Sequence, residues 1–210
     1  ARFTNSRRTL RVIKEFKMIR QALNNPYWYS KNRLSDDICD EIIRLGKELE
    51  LTEAGIFGAN ADKVDDKKLR VTNAGWFPKG HTVEMLIHNH VALANLEANW
   101  NFRVTGKERV QFGEYKTKAF YDWHTDSVWN YKVPFRKLSV TVNLSHPRDY
   151  AGGNFEMKNV EGHQLKMPMG QFRQRGTVIV FPSFLKHRVT EVTRGTRYSL
   201  VQWLNGPDFI

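Results

Sequence analysis

The sequence predicts a mainly β domain, a sandwich or barrel of short strands backed by helices near the N-terminus. Three observations predict it. Apolar residues recur at helical spacing only before Trp100; the runs after Trp100 are short, alternating or rich in strand formers; and loops carrying Pro147, Gly152-Gly153, Gly170 and Gly195 cut those runs apart. Helices first and many strands later suit sheets packed on each other, with helices covering one outer face.

Taken in order, residues 1–25 read as a basic amphipathic helical arm. Val12, Ile13, Phe16, Ile19 and Leu23 recur near helical spacing among seven bases and the single acid Glu15, and Asn24-Asn25-Pro26 closes the segment. Residues 26–210 are expected to form one domain. Tyr27-Trp28-Tyr29 predicts a short strand. Ser35 is a helix N-cap with Asp36 and Asp37 in the first turn, and Ile38, Ile42, Leu45 and Leu49 make one apolar stripe to about Glu50. A second helix is expected from Thr82 to about Glu97. The polar stretch from Ala59 to Gly80 is long for a structureless connection, so it holds short strands or is a mobile loop over a substrate. Leu138–Leu144 alternates apolar and small polar residues, the pattern of a half-buried strand. Thr177–Phe181 is a continuous apolar strand stopped by Pro182, and Thr196–Leu204 is a last strand.

Length and composition exclude several classes. A chain of 210 residues with 40% hydrophobic and 26% charged residues is globular rather than disordered. One cysteine, Cys39, cannot form an internal disulfide, no apolar run approaches the length of a membrane span, and the N-terminus has no signal-peptide pattern. A reducing, cytoplasmic setting is therefore expected. The net charge of +11 invites an acidic or nucleic-acid partner, but much of it sits in the arm. That arm docks on its own domain, on an acidic partner or on a membrane surface; the first reading is favoured, and nucleic acid is not.

Chemistry enters with the histidines. Of the seven, only His124 has an acid two places on, in His124-Thr125-Asp126. On a strand, residues i and i+2 share a face and can hold one ion, although such a pair arises by chance often enough to be weak alone. His187 follows the Thr177–Phe181 strand and a Pro182-Ser183 turn, where a third ligand could be presented. Past nine intervening residues, Arg197 shares strand parity with Ser199 and Trp203. Two imidazoles, a carboxylate and a guanidinium inside a barrel suggest a three-ligand iron site beside a bound dicarboxylate. His88 and His90 diverge on a helix, and His146 and His163 fall in loops, so a second metal site is not expected.

The ordered set Tyr115, His124-Thr125-Asp126, Gly152-Gly153, His187, Arg197, Ser199 and Trp203 resembles the iron(II)- and 2-oxoglutarate-dependent dioxygenases. The likeness is to the prolyl 4-hydroxylases and their bacterial and phage PKHD-type relatives. It implies a double-stranded β-helix (jelly roll) core with supporting N-terminal helices. It implies His124, Asp126 and His187 as Fe(II) ligands, with Arg197 on the distal carboxylate of 2-oxoglutarate, helped by Tyr115 and Ser199. Tyr121, Arg136 and Trp203 match positions that line a prolyl pocket. The activity implied is hydroxylation of a proline-containing peptide or protein, coupled to conversion of 2-oxoglutarate and O2 to succinate and CO2, with ascorbate as reductant. Arg70 and Trp76 in the long polar stretch, and Trp129 and Tyr131 after the carboxylate, are expected as a lid. The likeness is broken at Asn205, where some of those enzymes have His, and at Phe155, where the family has Thr. Two alternatives stand beside this reading: a nucleic-acid demethylase or small-molecule hydroxylase of the same fold, and a non-catalytic jelly-roll binding module.

Overall fold

The computed structural model describes residues 24–54, 66–127 and 135–207, with the backbone alone at 66 and 67. The arm predicted over residues 1–25 therefore lies almost wholly outside the described residues.

The chain runs through β1 (Trp28–Ser30), α1 (Asp36–Lys47), β2 (Thr52–Glu53), α2 (Asp66–Leu69), β3 (Arg70–Val71), β4 (Asn73–Trp76) and α3 (Thr82–Glu97). It continues through β5 (Gly106–Lys107), β6 (Gln111–Tyr115), β7 (Phe120–His124), β8 (Phe135–Asn143), β9 (Tyr150–Gly152) and β10 (Phe155–Met157). The last elements are α4 (Met169–Phe172), β11 (Val178–Pro182), β12 (His187–Val189), β13 (Val192–Gly195) and β14 (Arg197–Gly206). A major sheet has the order β1-β11-β8-β14-β6-β4-β2, with β5 also on β14; a minor sheet has the order β10-β12-β7-β3; β13 pairs β9. The pairings are antiparallel. The expected jelly roll is thus present.

Two apolar clusters hold these layers. One joins α1 and α3 to the major sheet through Ile42, Ile87, Phe112, Val140, Val178 and Leu200; the other joins the two sheets through Phe155, Met157, Ile179, Phe181 and Val189. Strand alternation explains the division: Val178 and Val180 face the helices while Ile179 and Phe181 face the minor sheet. The same alternation corrects one expectation. β8 is buried on both faces, because Leu138, Val140 and Val142 meet the helices while Ser139, Thr141 and Asn143 point between the sheets. Small polar residues there line an interior rather than meet solvent.

α1 starts where expected, with Ser35 Oγ accepting from the Ile38 N–H. Its buried face is Cys39, Ile42 and Gly46, however, and Ile38 is exposed. The helix turns this way because Gly46 lets the Phe112 ring approach: a Cβ there would lie 2.4 Å from a ring carbon. In an isolated helix Gly46→Ala would gain roughly 1 kcal/mol from propensity. Here overpacking of a fully buried ring is expected to win, costing about 1–3 kcal/mol. A fall in the urea midpoint with an unchanged slope would report it.

α3 spans Thr82–Glu97 as expected, capped by His81, whose Nδ1 accepts from the Val83 N–H. The first strand starts at Trp28 rather than Tyr27, because pairing with Val178–Val180 selects Trp28–Ser30 and Tyr27 packs instead on Phe172. In the polar stretch the described residues form α2, β3 and β4, so its short-strand reading holds there. Among the described residues no helix is long and apolar enough to cross a membrane.

Candidate metal centre

β7 and β12 are neighbours in the minor sheet, and their register sets His187 opposite His124. The two imidazoles meet with ring centroids 4.2 Å apart. Asp126 does not share their strands, which corrects the simple i, i+2 argument. β7 ends at His124, and the next residues turn onto Ser183, whose carbonyl accepts from the Asp126 and Ser127 N–H groups at 2.9 and 3.0 Å. Ser183 itself sits in the turn closed by Leu185 N–H to Pro182 O at 3.0 Å. The loop that delivers His187 thus also fixes the carboxylate.

Each imidazole is oriented from behind. His124 Nδ1 lies 2.7 Å from Asp122 O, and His187 Nδ1 lies 2.9 Å from Leu185 O. A carbonyl only accepts, so both Nδ1 atoms carry a proton and Nε2 is the atom each ring turns toward Asp126. Those Nε2 atoms stand 3.7 and 3.4 Å from the two oxygens of Asp126. The three ligand atoms all lie within 4.8 Å of one another, the one such group among the described residues. His88, His90, His146 and His163 are not part of this group.

Electrostatics match a cation site. Burial, reinforced by His187, pushes the His124 imidazole down to about 3, so it is neutral. Burial alone would raise the Asp126 carboxyl. His187, His124 and the Ser139 hydroxyl outweigh it and hold that group well below the usual carboxylate range. Two imidazoles plus an ionised carboxylate, all closely packed, form a donor set suited to non-haem Fe(II) with coordination positions left open. Ser139 Oγ donates to Asp126 Oδ2 at 2.6 Å and meets Ser183 Oγ at 2.9 Å. Ser139→Ala is expected to weaken metal binding about 10- to 100-fold. Titration of the apoprotein with Mn(II) would read it.

Arg197, Ser199, Val201 and Trp203 line the cavity that opens on this cluster, as their shared parity requires. Arg197 is 4% exposed and has no hydrogen bond or ion pair among the described residues; its guanidinium lies 5.4 Å from the Tyr115 ring. Gly153, at φ +58°, gives it room, since a Cβ there would come within 3.1 Å of Arg197 Cδ. Ser199 sits opposite Gly113, whose missing side chain leaves its hydroxyl uncovered on that side.

The expected substrate residues divide. The Tyr121 ring stacks on His124 with centroids 3.4 Å apart, and burial raises its phenol above the ordinary range, so the hydroxyl stays protonated. Trp203 lines the cavity, and its buried indole N–H has no acceptor among the described residues. Arg136 instead grips Glu108 with two contacts of 2.6 Å and lies 4.0 Å over the Trp203 ring. It backs the wall rather than lining the cavity.

The expected lid also divides. Trp129 and Tyr131 lie outside the described residues. Arg70 and Trp76 belong to the paired strands β3 and β4, so they are walls and not a mobile cover: Arg70 lies 4.6 Å over Tyr121 and bonds Gln111, and Trp76 packs on Trp203. Sequence reasoning missed Ser139 and Ser183. The alternating small polar residues of β8 were the available signal for the first; the Pro182-Ser183 turn marked where the second sits but not its contacts with Asp126 and Ser139.

The profile of the 2OG-Fe(II) oxygenase superfamily matches residues 110–205. A PKHD-type hydroxylase of Synechococcus sp. (strain JA-2-3B'a(2-13)) is 32% identical over 142 residues, covering 64% of this chain. The chain covers 60% of that relative's length. Among solved structures, a Pseudomonas putida prolyl-4-hydroxylase superposes with TM-score 0.65 at 20% identity, over 91% of this chain and 98% of its own. A Trichoplax adhaerens prolyl hydroxylase, in complex with a hypoxia inducible factor oxygen degradation domain peptide fragment, gives 0.67 at 16% identity, over 94% and 93%. Over residues 110–205 the chain is thus similar to the 2OG-Fe(II) oxygenase superfamily, with PKHD-type hydroxylases among its relatives.

Proposed function

We propose that the protein is an Fe(II)- and 2-oxoglutarate-dependent hydroxylase acting on a prolyl residue of a peptide chain, with residues 26–210 as one catalytic domain. One observation carries this reading: a buried arginine with no acidic partner among the described residues shares a cavity with two imidazoles and an ionised carboxylate. A buried guanidinium is costly unless an anion meets it, and a dicarboxylate reaching from the metal would do so.

His124, Asp126 and His187 would hold the iron, and Arg197, with Ser199 and Tyr115 beside it, would hold the distal carboxylate. Iron(II), with 2-oxoglutarate and O2, would supply the oxidising power for hydroxylating an unactivated C–H bond while the keto acid becomes succinate and CO2. The chain orients and shelters. Phe155, Phe181 and Val189 form an apolar wall that excludes water, with Phe155 centred 5.8 Å from the His187 ring. Phe155 thus fills space where the family has Thr. Tyr121 and Trp203 are flat surfaces suited to a pyrrolidine ring, and the unpartnered Trp203 N–H would be satisfied by a peptide carbonyl. The Trichoplax adhaerens neighbour's peptide complex supports a peptide rather than a nucleotide.

Purified protein with Fe(II), 2-oxoglutarate and ascorbate is expected to convert a proline-rich peptide to a product heavier by one oxygen, with equimolar succinate. Stimulation of succinate formation by a methylated oligonucleotide and not by the peptide would replace the reading with a demethylase. Failure to bind either metal or 2-oxoglutarate would leave a binding module.

A further inference from the structure

A second depression adjoins the mouth of the cavity, lined by Trp76, Lys79, Glu84, Lys107, Glu108 and Arg109. It is tied to the metal cavity by one aromatic wall: Trp76 lines the depression, Trp203 lines the cavity, and their rings lie 5.9 Å apart. Backbone bonds fix the two together. Glu108 N–H donates to Trp203 O at 2.9 Å, and Lys107 pairs with Leu204 across β5 and β14.

Both acids of this depression are already engaged. Glu108 is held by the paired contacts from Arg136, and buried Glu84 takes the Lys107 ammonium at 2.5 Å and the Gly80 N–H at 2.8 Å. Lys79 and Arg109 are exposed and have no ion pair among the described residues. Arg109 stands 5.6 Å over the Trp76 ring. The surface next to the reacting centre therefore offers an aromatic ledge edged by surplus positive charge.

We propose that this depression docks the segment flanking the target residue and selects peptides with Asp or Glu there, a specificity that rests on the prolyl hydroxylase reading. An extended peptide advances about 3.3 Å per residue, so a few residues carry it from Trp203 across Trp76 to the cations. Its aliphatic atoms cover the indole while its carboxylates meet Arg109 and Lys79, the complementary arrangement that steers partners and fixes their register. Nucleic acid would use the same charges with a base on Trp76, so the test must separate the two.

The test uses fluorescein-labelled Gly-Ala peptides with a central proline and either two Glu or two Lys on one flank, each flank tried in turn. Anisotropy is read on the Mn(II)-loaded protein with 2-oxoglutarate. The acidic peptide is expected to bind at least about fivefold tighter at low salt and to lose that advantage at high salt. In Lys79→Glu/Arg109→Glu the preference should reverse while Mn(II) affinity stays unchanged. Equal binding of acidic and basic peptides on both flanks would overturn the proposal, as would tighter binding of a single-stranded oligonucleotide lost in the same variant. The two readings fail separately. Oxygenated product without charge preference removes the docking surface alone, whereas charge-selective binding of a Pro→Ala peptide without oxygenation of its parent removes the prolyl reading alone.

Discussion

Alanine in place of His187 is expected to lower both metal affinity and turnover by more than about 100-fold, beyond the 10- to 100-fold typical of groups that only orient a ligand. His187 is 5% exposed, contributes one of three donors, and stands 3.4 Å from Asp126. Its removal leaves two donors, the ionised buried carboxylate of Asp126 and the neutral imidazole of His124. His124→Ala should behave alike. Asp126→Asn tests the charge by itself, since it keeps the shape and the contact with Ser139 while removing the anion that draws a divalent ion. Metal titration of the apoproteins, with far-ultraviolet circular dichroism as a fold control, measures all three. Unchanged Mn(II) binding in any of them would exclude the assigned ligand set.

Arg197→Leu is expected to raise the dissociation constant for 2-oxoglutarate by about 30-fold to several thousand-fold. That range corresponds to the roughly 2–5 kcal/mol lost when one partner of a buried charge pair is truncated. Mn(II) affinity should stay near that of the native protein. A second signature follows from burial. Without a ligand, the Arg197 charge has no anion among the described residues, so a leucine of comparable volume should leave the apoprotein as stable or more so. The native protein, by contrast, should gain about 2.7 kcal/mol of stability at 2-oxoglutarate concentrations 100 times its dissociation constant. Thermal unfolding with and without 2-oxoglutarate reads both effects in one experiment. A ligand-dependent shift that survives in the leucine variant would assign the carboxylate to another residue.

The start of α1 and the extent of α3 were legible because their determinants are local. Ser35 caps α1 through its own next turn, and Thr82–Glu97 carries its signals within itself. Which face α1 buries was not legible: an apolar stripe gives the direction of greatest hydrophobicity, but the space left by Gly46 decides where Phe112 fits. The strands β8, β11 and β14 were found, β6, β10 and β12 were not, and β8 was read as half-buried. Alternation reports that two faces differ, not that the polar face is wet.

The spacing of histidines, aspartate and arginine by itself determined the donor types, their order along the chain and the common side of Arg197, Ser199 and Trp203, since chemistry and strand parity are properties of neighbouring residues. Only the tertiary structure decided that Asp126 reaches its partners from a turn anchored on Ser183, that Ser139 donates to it, and that Arg136 is spent on Glu108 behind Trp203. Those contacts join residues 13 to 57 positions apart. Their geometry is set by sheet register and by the packing of two layers, which no local pattern encodes.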